Sequence, residues 1–84
     1  ISQSKLRKYN DLYKGYNLQV GDILYLEKKK RKASKDNIVH VLRSGESMYT
    51  VSQKYGIRLK NLYKLNKMSP EDPAPALGTI LRLR

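Results

Sequence analysis

The feature that most constrains this chain is that it partly repeats itself. Ile1, Leu6 and Asn10 stand in the same register as Ile57, Leu62 and Asn66, and Gly21-Asp22-Ile23-Leu24-Tyr25-Leu26 parallels Gly78-Thr79-Ile80-Leu81-Arg82-Leu83, with one extra loop residue in the second copy. Self-similarity of this kind means that one supersecondary unit is used twice. In each copy the pattern predicts a short helix, an Asn, a polar loop, then Gly and a closing strand.

The second copy extends further towards the N-terminus, through the stretch His40 to Gly56. Ile38 to Leu42 is a short apolar run suited to one strand, and Ser44-Gly45 breaks it, Gly allowing a tight turn at little steric cost. Ser47 is a good N-cap, Met48, Val51, Ser52 and Tyr55 repeat at helical spacing, and Gly56 is a C-cap. Leu59, Leu62, Tyr63 and Asn66 predict a second helix. It starts at Arg58, a position where loss of Ser or Thr typically costs about 1 kcal/mol. It ends at Asn66, expected to tolerate left-handed geometry and to satisfy loop backbone with its amide. The loop MSPEDPAPALG carries all three prolines and excludes a central strand. Ile80 to Leu83 is then expected to pair antiparallel with Ile38–Leu42. The expected class is α+β: strand, helix, helix, strand over residues 38–84, with a two-stranded antiparallel sheet packed by two helices.

Residues 1–26 carry only the helix and strand of the first copy, with Ile1, Leu6 and Tyr9 as the main apolar residues and Gln3 and Arg7 where the second copy has Leu59 and Tyr63. Isolated short helices are marginal in water. This half is therefore expected to be weakly ordered unless it borrows a sheet partner, from the intact copy or by strand exchange or dimer contact with another chain. Between the copies runs EKKKRKASKDN, residues 27–37, with six basic and two acidic residues. Like charges repel and stay solvated, so a linker is expected, and a nuclear-localisation or nucleic-acid contact is the competing reading.

Composition narrows the chemistry. With no cysteine, neither a disulfide framework nor a thiolate metal site can be built, and a small core must be held by packing alone. No apolar run approaches the roughly 18 residues of a membrane span. The one histidine, His40, has no Cys nearby, and Glu46, Glu71 and Asp72 show no ligand spacing, so His40 reads as structural and no catalytic residue, metal or cofactor is expected. The net charge of +11 motivates an alternative, a basic nucleic-acid-binding module, and a protein-interaction adaptor is a third reading.

The strand, turn, helix and glycine stop of HVLRSGESMYTVSQKYG resemble the opening of a LysM module, a small peptidoglycan- and chitin-binding domain, with Glu46-Ser47-Met48 where that family most often has Asp-Thr-Leu. The resemblance extends over residues 38–84 and makes residues 1–26 the second half of another such module. It implies noncatalytic binding of N-acetylglucosamine-containing glycans between two loops, in the cell envelope, extracellular or periplasmic, as the anchor of a wall hydrolase or envelope protein. Carried over by position, the first loop offers Ser44, Gly45, Glu46, Ser47 and Met48, and the second offers Lys67, Met68, Ser69, Pro75, Ala76 and Leu77. Glu46 and Lys67 would orient sugar hydroxyls at the rim, while Met48, Met68 and Leu77 would meet the N-acetyl group. Against these stand plainer readings: Met48 as core, Gly45 and Pro75 as turn formers, and Tyr49 either facing sugar or packed on the sheet. Residues 27–37 would add nonspecific attraction to anionic envelope polymers.

Overall fold

The computed structural model describes residues 2–12, 16 and 21–84; Ile1 lies outside them. Five elements follow in order: α1 (Gln3–Tyr9), β1 (Val39–Val41), α2 (Met48–Tyr55), α3 (Leu59–Leu65) and β2 (Ile80–Arg82). The two strands pair antiparallel, Val39 opposite Arg82, His40 opposite Leu81 and Val41 opposite Ile80. Bonds from Leu83 N to Ile38 O and from Leu42 N to Thr79 O, each 2.9 Å, carry the pairing one residue past each end. The period-2 alternation turns His40 and Leu81 inward and leaves Val39, Val41 and Ile80 exposed. This is the expected α+β arrangement.

Local chemistry sets the helix boundaries. The Ser47 hydroxyl accepts from Thr50 N while Thr50 Oγ1 accepts from Ser47 N, a reciprocal capping box that fixes the start of α2. Gly56 ends that helix in the left-handed region, φ +68°, with its N–H on Ser52 O. At α3 the expectation is corrected in one respect. Asn66 itself is not left-handed (φ −104°); the next residue, Lys67, takes that conformation at φ +54°. The amide of Asn66 acts as expected, donating from Nδ2 to Leu62 O and Arg82 O and accepting from Arg82 N. One side chain thus ties the end of α3 to β2.

The N-terminal segment repeats this device. Asn10 donates from Nδ2 to Leu6 O and Tyr25 O, both at 2.8 Å, accepts from Tyr25 N at 2.6 Å, and is followed by Asp11 at φ +55°. Among the described residues the strand expected at the end of the first copy does not appear: residues 22–25 pair with no other strand there. The partner this segment meets is α2. Gln53 Nε2 donates to Asn10 Oδ1 and Ile23 O, and the Tyr25 hydroxyl donates to Gln53 O at 2.6 Å.

The core is Leu42, Met48, Val51, Ile57, Leu62, Leu81, Leu83 and Ala33. The last of these corrects the picture of residues 27–37 as uniformly solvated. Lys28, Lys30, Arg31 and Lys32 are exposed, but Ala33 and Lys29 are each 3% exposed. Lys30 forms a parallel bridge with Ile57, its N–H on Gly56 O and its C=O on Arg58 N, both at 2.8 Å, and Ala33 N donates to Leu83 O. The Lys29 ammonium sits 2.6 Å from Asp11 Oδ2 and donates to Gln53 Oε1 at 2.6 Å and Ser52 Oγ at 3.2 Å. Burial pushes its pKa below the ordinary lysine value, while the hydrogen bond and charge of Asp11 pull the other way. The carboxylate of Asp11 has a second role. Arg58 caps α3 with nothing, as its residue type implies, and Asp11 Oδ2 accepts from Leu59 N instead.

Candidate functional site

Gly45 makes the first loop, at φ +83°, where a side chain would be strained. Glu46 then closes the turn on itself. Its Oε1 accepts from Arg43 N at 2.8 Å and lies 2.8 Å from His40 Nε2, while His40 Nδ1 lies 2.8 Å from the Tyr55 hydroxyl. With the proton on Nε2, the imidazole donates to the carboxylate and accepts from the tyrosine, so strand, turn and helix end are joined through one ring. The hydrogen bond from His40, reinforced by that from Arg43 N, holds the Glu46 carboxyl below its ordinary pKa. His40 makes the structural contacts read for it from the sequence, and one of the two carboxylate oxygens of Glu46, Oε1, is engaged by the fold.

Where α2 begins, the first loop faces the second across a shallow groove of about 220 Å³. Glu46, Ser47, Met48 and Tyr49 form one wall, Ala74 and Pro75 the other, and Leu42, Leu59 and Tyr63 the base. The lining is mostly apolar and aromatic, with Ser47 and Glu46 as polar groups at the edge. Tyr49, Leu59, Tyr63 and Pro75 are partly exposed, and burial raises the pKa of the Tyr49 phenol, leaving it a neutral hydroxyl that can donate and accept. Such a surface offers small apolar contacts and a few hydrogen bonds, with no fixed charge of its own besides Glu46.

Four of the eleven residues placed here from sequence, Glu46, Ser47, Met48 and Pro75, line this groove. Met48 is also core, at 4% exposure, so its plainer reading holds as well. The other seven lie outside the lining. Ser44 and Gly45 are exposed at the turn, and Lys67 is exposed just past α3. Met68 packs against the core, Ser69 donates to the Glu71 carboxylate, Ala76 O accepts from Thr79, and Leu77 is 66% exposed. Leu42, Leu59, Tyr63 and Ala74 were not singled out as binding residues. Two of them carried a signal: Leu59 and Tyr63 are positions at which an apolar residue stands where the first copy has a polar one, Gln3 and Arg7. Apolar residues at i and i+4 in one copy alone mark a surface that this copy alone presents.

Among the described residues no group of three His, Cys, Asp or Glu is placed to hold a metal ion, and no helix is long and apolar enough to cross a membrane. The family model described as LysM domain matches residues 40–84, more than half of the chain. A search of the curated proteins finds no match.

Proposed function

Because this chain belongs to the LysM domain family, in general noncatalytic modules that bind peptidoglycan and chitin, we propose that its groove at the start of α2 holds an N-acetylglucosamine-containing glycan. The observation that carries the reading is the pairing of Tyr49 and Tyr63 with Ser47 and Pro75 in one shallow, nearly uncharged groove. A pyranose ring presents C–H groups on its faces and hydroxyls at its edge, and a neutral glycan is suited to aromatic surfaces rimmed by few polar groups. The N-acetyl methyl would lie on the apolar base and its amide against Ser47. Ser47 has spare acceptor capacity beyond its capping bond. LysM domains typically occur in extracellular or cell-wall proteins, and the role that follows is to anchor a wall hydrolase or other envelope protein to its polymer.

The N-terminal segment fits the same proposal as half of a preceding module. Asn10 and Asn66 make matching sets of bonds, each followed by a left-handed residue. It lacks the apolar pair Leu59 and Tyr63, so the groove of residues 38–84 is the glycan site. Titration with chito-oligosaccharides and with muropeptides, followed by backbone amide shifts, tests the reading. Shifts concentrated at residues 46–49 and 74–75 support it, and an absence of shifts there at millimolar glycan refutes it.

A further inference from the structure

We propose that residues 28–35, held against the C-terminal end of α2, form a second and preorganised site, a cationic groove for a linear polyol-phosphate chain such as an anionic wall polymer. The groove is open, about 830 Å³, and is lined by Lys28, Lys30, Arg31, Lys32, Lys35 and Lys54. Arg84 completes it, and Glu27 is the one acidic residue among its lining. None of the six forms an ion pair among the described residues, where Lys29 pairs with Asp11 and His40 meets Glu46 through a hydrogen bond.

What distinguishes this surface from an ordinary basic run is that its backbone is fixed. Lys30 is bonded on both sides, to Gly56 O and Arg58 N, and three residues on Ala33 N donates to Leu83 O at 2.7 Å while Ala33 O accepts from Arg84 Nη1 at 2.6 Å. Lys29 and Ala33 are the two residues turned inward, and they anchor the segment while its neighbours stay in water. The backbone that carries the cations is therefore set along one concave surface before a ligand arrives, so its ordering entropy is already spent in folding and only exposed side chains remain to be ordered. Lys54 belongs to α2 and Arg84 follows β2, so the array draws on the module as well as on the segment.

A phosphate chain on a flexible polyol needs cations at intervals and little else, whereas single-stranded nucleic acid also needs free aromatic faces on which bases stack. The two aromatic rings lining the groove are already occupied. Tyr25 lies against Gly56 with its hydroxyl on Gln53 O, and Tyr55 has the Lys54 ammonium 5.5 Å from its ring centroid and the His40 ring edge-on at 5.4 Å. The choice of a wall polymer among phosphate chains rests on the glycan reading above; the groove itself does not.

The test uses the full chain and a labelled poly(glycerol phosphate), with affinity followed against salt. At about −0.7 per neutralised cation, engagement of six predicts a log–log slope of about −4. Lys32→Gln, Lys35→Gln and Lys54→Gln together should bring it to about −2 and weaken binding at 50 mM salt by about tenfold or more. Removing the same charge from exposed positions outside the groove, with Lys5→Gln, Lys60→Gln and Lys64→Gln, should leave the slope unchanged. Equal losses from both triple variants would mean that net charge alone binds, and would overturn the site. Tighter binding of a single-stranded DNA of matched charge would overturn the choice of partner. Chito-oligosaccharide affinity, measured on the same proteins, should not change. If those sugars bind none of them while the contrast between the triples persists, the glycan reading falls and the phosphate groove stands.

Discussion

Replacing Asp11 by Asn removes one charge and little else. Asn retains an oxygen able to accept from Leu59 N, and it is at ease at φ +55°, so the α3 cap and the turn are preserved. What is lost is the counter-charge of Lys29, whose side chain is 1% exposed and whose remaining partners, Gln53 Oε1 and Ser52 Oγ, are neutral. Stripping one partner from a buried ion pair costs roughly 3–5 kcal/mol when both groups are deep. The Asp11 side chain is 27% exposed and therefore partly screened, so a loss of about 2–3 kcal/mol is expected. That is a large share of the roughly 4–13 kcal/mol that a domain of this size has in total. Lys29→Met by itself leaves Gln53 Oε1 without its donor at a cost of about 1–2 kcal/mol, and in that background Asp11→Asn should be nearly neutral. The expected coupling is thus about 2 kcal/mol in a double-mutant cycle. Urea denaturation followed by tyrosine fluorescence and circular dichroism measures it, the chain having seven tyrosines and no tryptophan. A loss for Asp11→Asn below about 0.5 kcal/mol, or an equal loss in both backgrounds, would refute the claim that the buried pair joins the N-terminal segment to the module.

Residues 38–84 alone should still unfold cooperatively, since they hold both strands, α2 and α3, but should melt roughly 10–20 °C lower than the full chain because Ala33 leaves the core and Gly56 O and Arg58 N lose their partners on Lys30. A scan of that fragment with no transition would show that residues 2–37 are integral to the fold. Gly45→Val should cost about 1–2 kcal/mol: nothing lies within 4 Å of an added Cβ, so the penalty is that of φ +83° alone, and an unchanged melting temperature would contradict it. The carboxyl of Glu46 has a folded pKa below its ordinary value, so its contribution is present above that value and is lost as pH falls through the lowered one. Glu46→Gln should accordingly flatten the acid side of a stability–pH curve while leaving its neutral side sloped as before. Tyr49→Ala should lower affinity for a chitin oligomer by about tenfold, the worth of roughly one aromatic contact, without altering the capping box of α2.

What the amino-acid sequence determined by itself is the part governed by interactions three or four residues long. The turn at Gly45, the Ser47 start and Gly56 stop of α2, the apolar stripes of Val51 and Leu62 and the short apolar run of β1 all follow from dihedral preference, capping and periodicity, and each was legible before the chain was folded. So was the pairing of two loops across a groove, with Glu46, Ser47, Met48 and Pro75 in its lining, through the likeness of HVLRSGESMYTVSQKYG to a known module; that a glycan fills it is the proposal made above. Only the tertiary structure decided which lysine of a basic run would be buried. Lys29 looks like its neighbours until Asp11 and Gln53 are brought to it, just as nothing near Leu59 announces that a carboxylate 48 residues away will cap α3. The same holds for Glu46, one of whose carboxylate oxygens is taken up by His40 and Arg43 N, and for Ala33, a small residue that reached the core through bonds to Leu83 and Arg84. Local bonds are written in spacing. A buried charge, by contrast, is tolerated only where distant groups converge to satisfy it, and no window of sequence contains that convergence.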